Sequence, residues 1–246
     1  MILRQFLHDD PVGISYLLGC GGKATGAVVD PVAEPDFYLA AAQAAGMKID
    51  YVIDTHVHAD HVSTGRALAD AAGAEYVLSE RADVASPFKS VSDGDELALG
   101  NVTIKILSIP GHTPEHIALL VTDRTRADEP WFVVTGHTLM VGDLGRTELA
   151  VSAEIGAKDL FRSVQKLKAL PDYVQVLPGA YAGSVCGRSL SANPVSTIGF
   201  EKRHNRAFGI EDEAEFIDFM LTDIPPAPPE AARLRAANSG RPAAAA

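Results

Sequence analysis

The chain has 246 residues, 47% of them hydrophobic and 22% charged, enough apolar sequence to build a sizeable core and too much for a disordered or fibrous protein. Lys and Arg number 21 against 32 Asp and Glu, a formal charge of -11 that disfavours nucleic acid and anionic lipid as partners and leaves a small molecule or a protein. Cys20 and Cys186 are the two cysteines, so no disulfide framework is implied. A reducing compartment follows, and with no signal-peptide pattern over residues 1–13 and no apolar run of membrane length, a cytoplasmic protein is expected.

Residues 14–20 and 27–29, parted by Gly21-Gly22, predict a hairpin of two buried strands. Pro35 opens an Ala-rich helix over 36–45 that Gly46 stops, and 51–53 reads as a buried strand. Thr55 then begins a polar loop. A short helix over 65–72, a strand over 75–78 and an alternating hairpin through Leu97, Leu99, Val102, Ile104 and Ile106 follow. Strands at 117–121 and 131–134, an amphipathic helix at 157–170, a strand at 174–177 and two helices at 195–208 and 211–221 complete a mixed α/β domain over residues 1–221. Residues 222–246, Pro-rich and then Ala-rich, read as a C-terminal tail.

The chemistry is carried by histidine. His56, His58, Asp60 and His61 fall within six residues of a chain that holds 8 histidines, and imidazoles and a carboxylate crowded on one loop are most simply gathered by a divalent metal. His112 follows the strand that ends near Ile109, and His137 follows the strand that ends at Val134. Separate strand ends converging on one rim can assemble a metal site from residues distant in sequence. His116 opens a strand and fits either a supporting or a purely structural part, while His8 and His204 read as surface or packing residues.

The segments THVHADH (55–61), PGHTPEH (110–116) and TGHTLMVGDLGRTEL (135–149), with YAGSVCGRSLSANPVSTIGFEKR (181–203), resemble the metallo-β-lactamase fold superfamily. Within it they are most similar to persulfide dioxygenases, especially the bacterial branch often fused to rhodanese domains; the resemblance covers about residues 1–221, with no rhodanese part. It implies a four-layer αββα sandwich of two mixed β-sheets. It also implies one ferrous ion per chain, held at His56 and His112, and oxidation by O2 of a glutathione persulfide-like thiol derivative to sulfite, in sulfur metabolism. The family's third ligand is the aspartate of TGD, where this chain has His137. Relatives' PGH is here Pro178-Gly179-Ala180, so a second metal at His58, Asp60 and His61 loses a bridging carboxylate and an imidazole, and two close cations need that screening.

One metal on three imidazoles, His56, His112 and His137, is therefore expected, a set that suits iron or zinc and is one unit more positive than the family's. The alternative is a zinc thioester or ester hydrolase of the glyoxalase II kind, with Asp60 as general base and His58 beside it in the catalytic group. A third reading is a member with a changed site that binds or regulates. Arg146 is read as pairing with Asp143 or another carboxylate, or touching substrate, and Cys186 as core or as a thiolate near the metal. Relatives often associate as homodimers, which the resemblance extends to this chain.

Overall fold

Residues 1–241 are described by a computed structural model; the last five residues of the expected tail, 242–246, lie outside the described residues. One sheet follows chain order: β1 (Ile2–Asp9), β2 (Val12–Cys20), β3 (Thr25–Val29), β4 (Lys48–Ile53), β5 (Glu75–Ser79) and β6 (Lys89–Val91). Its first three strands pair antiparallel and its last four parallel. Parallel neighbours need crossovers, and α1 (Pro35–Ala44) and α2 (Gly65–Ala72) supply two of them. The second sheet is built from β7 (Glu96–Leu99), β8 (Val102–Ser108), β9 (Ile117–Asp123), β10 (Phe132–Gly136), β13 (Gln175–Pro178) and β14 (Ser196–Thr197), in the order β14-β13-β10-β9-β8-β7. Between β10 and β13, its one parallel pair, lie a small hairpin, β11 (Leu139–Met140) with β12 (Asp143–Leu144), and the long helix α3 (Ala153–Lys168).

Side-chain alternation along the strands sorts the apolar residues into layers. Ile14, Tyr16 and Leu18 of β2 meet Ile104, Ile106, Leu119, Val121, Phe132 and Val134 of the second sheet in a core between the sheets. The intervening Leu17 and Val28 face outward onto Tyr38 of α1 and Leu68 of α2. On the far side, Leu107, Ala118 and Val133 pack against Leu160 and Val164 of α3 and against Phe208 and Phe216. Three buried interfaces thus separate four layers, helices outside and mixed sheets inside, which is the expected αββα sandwich. No helix of the described residues is long and apolar enough to cross a membrane.

The sequence does not mark the short strands β6, β11 and β12, and three longer stretches also differ from its expectation. Residues 2–9 form β1, whose pattern of half-buried positions carries little period-2 signal because the strand lies at a sheet edge. The helix expected over 195–208 divides into β14, α4 (Ile198–His204) and α5 (Arg206–Gly209). Asn205 breaks it with φ -89° and ψ 110°, and its side chain accepts the Phe208 N–H to start α5, as asparagine favours at a cap. After α6 (Glu213–Leu221), the stretch read as a tail carries a helix, α7 (Ala231–Ser239). Its contacts with the histidine loop are polar and long-range, which composition and periodicity do not register.

Candidate metal centre

His56 follows β4, His112 follows β8 and His137 follows β10, so strand ends from both sheets deliver them to one edge of the sandwich. All three side chains are buried, and one ring nitrogen of each lies within 4.8 Å of the others'. The rings stand 4.8 to 5.3 Å apart, centre to centre. His58, Asp60 and His61 form an adjoining group with donor atoms equally close.

Hydrogen bonds decide which nitrogen is free in His56 and His112. The Thr55 hydroxyl donates to Asp30 Oδ2 at 2.9 Å, so it accepts from His56 Nδ1 at 2.9 Å. His56 Nε2 is left buried without a partner, its lone pair free. His112 Nδ1 donates to the Arg146 carbonyl at 2.7 Å, which directs its lone pair through Nε2 as well. Backbone or hydroxyl partners on the far nitrogen are how proteins orient metal-binding imidazoles. In His137 the unpartnered buried atom is Nδ1, while Nε2 faces Asp60 Oδ2 at 3.9 Å. Buried lone pairs without hydrogen bonds are costly, and a cation among them removes the cost. The donor set fits a metal ion.

Around this group lies a carboxylate network that the sequence did not disclose. Asp30 accepts the Thr55 amide at 2.7 Å and faces His58 Nε2 at 3.2 Å, and Asp54 accepts from Ser63 and Tyr76 at 2.6 and 2.7 Å. The proximity of Asp30 to His58 spans 28 residues, and no local motif marks it. Burial would drive His58 neutral, but its hydrogen bond to Asp30 and the Asp60 carboxylate 3.6 Å from its Nδ1 outweigh that and raise its pKa well above the ordinary range. Burial likewise opposes ionisation of Asp60, yet His137, His61 and His58 hold its carboxyl well below the usual range. Asp60 Oδ1 bonds His61 Nδ1 at 3.1 Å, leaving Asp60 Oδ2 and His61 Nε2 unpartnered.

Other candidates take different places. Arg146 does not pair with Asp143. Its guanidinium pairs with another carboxylate, Glu148, and meets the Val185 carbonyl at 3.2 Å and the Pro225 carbonyl at 2.5 Å, so each of its three nitrogens has a partner within the protein. What Arg146 gives the centre is its backbone carbonyl. Asp143 instead accepts the amides of Arg188 and Ser189 at 2.6 and 3.0 Å. Cys186 is buried with Met140 and Ala180, burial pushes its thiol well up, and its sulfur lies within 4.8 Å of donor atoms of Asp60 and His137. It is both core and neighbour of the centre. Ala180 packs in that same apolar cluster.

His116 supports the centre. Its Nε2 accepts the His137 amide at 3.1 Å and its ring stacks on His56 at 4.6 Å. His8 bonds Ser15 at 2.8 Å and His204 is exposed; neither joins the centre.

Burial, reinforced by neighbouring imidazoles, holds His56 and His116 well below their ordinary 6.5, pushes His112 down to about 3 and lowers His137. A depressed histidine contributes stability that is full above the unfolded pKa and is lost as pH falls below it, because the unfolded chain binds the protons. Metal-free protein should therefore lose stability as pH falls below ~6.5, by at most about 1.4 kcal/mol per pH unit for each histidine that stays unprotonated in the folded state. His58, protonated in both states there, adds nothing. Melting temperatures of chelator-treated protein between pH 7.5 and 5 should fall steeply; a flat profile would contradict neutral buried imidazoles.

Comparison with known proteins agrees with this geometry. A family model described as the metallo-beta-lactamase superfamily matches residues 10–179. The chain is 29% identical over 211 residues to the mitochondrial persulfide dioxygenase ETHE1 of Mus musculus, covering 82% of this chain and 78% of that one. It is 34% identical over 164 residues to the hydroxyacylglutathione hydrolase of Methylococcus capsulatus, but covers 65% of this chain and 59% of that one. The crystal structure of ETHE1 from Myxococcus xanthus superposes with a TM-score of 0.83 at 31% identity, covering 98% of this chain and 99% of that one. A fold of two mixed sheets between helices, a histidine-rich metal centre on the strand ends and a family match over most of the sequence agree: the chain belongs to the metallo-beta-lactamase superfamily.

Proposed function

We propose that the chain is a mononuclear iron dioxygenase that oxidises a low-molecular-weight persulfide, of the glutathione persulfide kind, to sulfite. The observation that carries the reading is the unpartnered Nδ1 of His137. Nδ1 is bonded to Cγ, as the carboxylate oxygens of aspartate are, so it stands where an aspartate at this position would present its ligating oxygen. The ligand changes charge while its donor keeps nearly the same reach from the backbone. Similarity along nearly the whole length of the Myxococcus xanthus ETHE1 structure, and to the persulfide dioxygenase ETHE1 of Mus musculus, supports the same activity.

His56 and His112 through Nε2, and His137 through Nδ1, would hold the ion. Iron would supply the redox chemistry of the balanced reaction RSSH + O2 + H2O → RSH + SO3(2-) + 2H+. The protein's own residues fix the geometry: Thr55 and the Arg146 carbonyl hold two rings, and His116 holds the His137 backbone. His58 keeps a proton between Asp30 and Asp60. Three neutral imidazoles leave the ion's charge unscreened, which favours an anionic persulfide.

The hydrolase reading asks Asp60 to act as general base. A carboxyl held well below its usual range is a weak proton acceptor, and the apolar Ala180 adds no donor for a second ion.

The test is elemental analysis of protein purified without added metal, followed by oxygen uptake with glutathione persulfide. Iron near one per chain with oxygen uptake supports the proposal. Zinc with anaerobic thioester turnover would move the assignment to hydrolysis, and no metal would move it to a binding role. His137→Asp should preserve or raise iron occupancy and persulfide oxidation; less iron and slower oxidation would contradict the stand-in role of Nδ1.

A further inference from the structure

The loop that carries His56, His58 and His61 pairs with no strand over residues 57–63, yet much of its backbone is satisfied from elsewhere. Glu115, 2% exposed, accepts the Val57 amide at 3.0 Å. Arg235 of α7 donates to the Val57 carbonyl at 2.8 Å and grips both oxygens of Glu115 at 3.1 Å. One turn along α7, Asn238 donates to the carbonyls of His58 and His61 at 2.9 and 2.8 Å and accepts the Ser63 amide at 2.9 Å. Residues three apart share one helix face, so a single face of α7 reaches both ends of the histidine loop. Through Glu115 it also reaches the loop that carries His112.

We infer that α7 is a clamp on the metal centre, with Arg235 and Asn238 as positioning residues whose docking and metal binding reinforce each other. The inference rests on the proposed metal reading. Buried backbone groups must find partners, and here those partners come from α7, so undocking it would free the Val57, His58 and His61 carbonyls and the Ser63 amide together. In turn, α7 depends on the loop. It is nine residues long, and its one buried residue is Ala231, whereas helices of that length are marginal alone. Its order comes from the fork to Glu115, from Asn238 and from the bond of the Ser239 carbonyl to the Ala85 amide at 2.9 Å. Two processes that each order the same loop must be coupled, and the coupling is reciprocal.

The experiment titrates the full chain with Co2+ against a competing chelator and records its visible ligand-field spectrum. Wild type is compared with Arg235→Lys, which keeps the charge and loses the two-pronged fork, Asn238→Ala, and Arg233→Ala, whose guanidinium meets Glu230 on the exposed side of α7. We expect Co2+ affinity to fall about tenfold or more for the first two with an altered spectrum, as removal of groups that orient ligands does, and to stay within twofold for Arg233→Ala. Circular dichroism of the metal-free variants verifies that they are folded. Hydrogen exchange supplies the reciprocal readout on wild type alone: amides of 231–239 should exchange about tenfold more slowly with Co2+ than without. Wild-type affinity and spectrum in folded Arg235→Lys and Asn238→Ala, or exchange in α7 indifferent to Co2+, overturns the clamp. A wild-type chain that binds no Co2+ overturns the metal reading beneath it.

Discussion

His112→Ala is expected to reduce metal content from about one ion per chain to near zero and to abolish any metal-dependent turnover. His112 is a donor held by the protein at its far nitrogen and against two neighbouring rings. Its Nδ1 is fixed by the Arg146 carbonyl at 2.7 Å, and its ring stands edge-on to His56 and His137. Loss of a group that only orients a ligand costs about 10- to 100-fold in affinity, so loss of the ligand itself should cost more. Two imidazoles, His56 and His137, would then remain, and Asp60, which faces the other nitrogen of His137, cannot replace the third without rearrangement. Unfolding is separated from ligand loss by pH. Metal-free His112→Ala lacks one depressed histidine and should lose stability less steeply in acid than the metal-free parent. Elemental analysis with melting curves at pH 7.5 and 5.5 checks both. A variant that keeps one ion per chain would remove His112 from the centre.

The legible parts of this protein are those where a short-range signal carries the information. The helix expected over 65–72 forms over Gly65–Ala72, because apolar spacing and the following Gly73 are local marks of a helix and its stop. The strands that end before His56, His112 and His137 carry local apolar patterns, alternating in β8 and continuous in β10, so the site's position at their ends could be read. What could not be read is contact across the fold. Asp30 lies in the turn after β3 with φ 47°, a backbone state aspartate tolerates, and nothing in its neighbours shows that it holds Thr55 and His58. Glu115 sits inside the PGHTPEH segment and looks like a polar filler until Arg235 arrives from 120 residues away. A clamp made of side chains bonding to main-chain carbonyls leaves no periodic trace, so a docked helix in an Ala-rich stretch reads as a tail.

Gly136→Ala is expected to damage stability and the metal centre together. Gly136 ends β10 with φ +50°, which costs an alanine about 1–2 kcal/mol. The added Cβ would stand 2.6 Å from His116 Cε1 and 2.6 Å from Thr55 Oγ1, and forcing a methyl into such packing costs about 1–3 kcal/mol more. For a chain of this size, a loss of about 2–5 kcal/mol lowers the melting temperature by roughly 5–15 °C. Neither neighbour can yield freely. The Thr55 hydroxyl orients His56, and His116 accepts the amide of His137 and stacks on His56, so relieving the clash moves two proposed ligands. Metal affinity should fall even at temperatures where the variant is fully folded. Gly22→Ala, where a Cβ meets nothing within 4 Å, is the matched control and should change neither quantity. A Gly136→Ala protein that melted lower but bound metal as tightly as the parent would show that Thr55 and His116 are replaceable supports, and the positions of His56 and His137 would then have to be set by the strands alone.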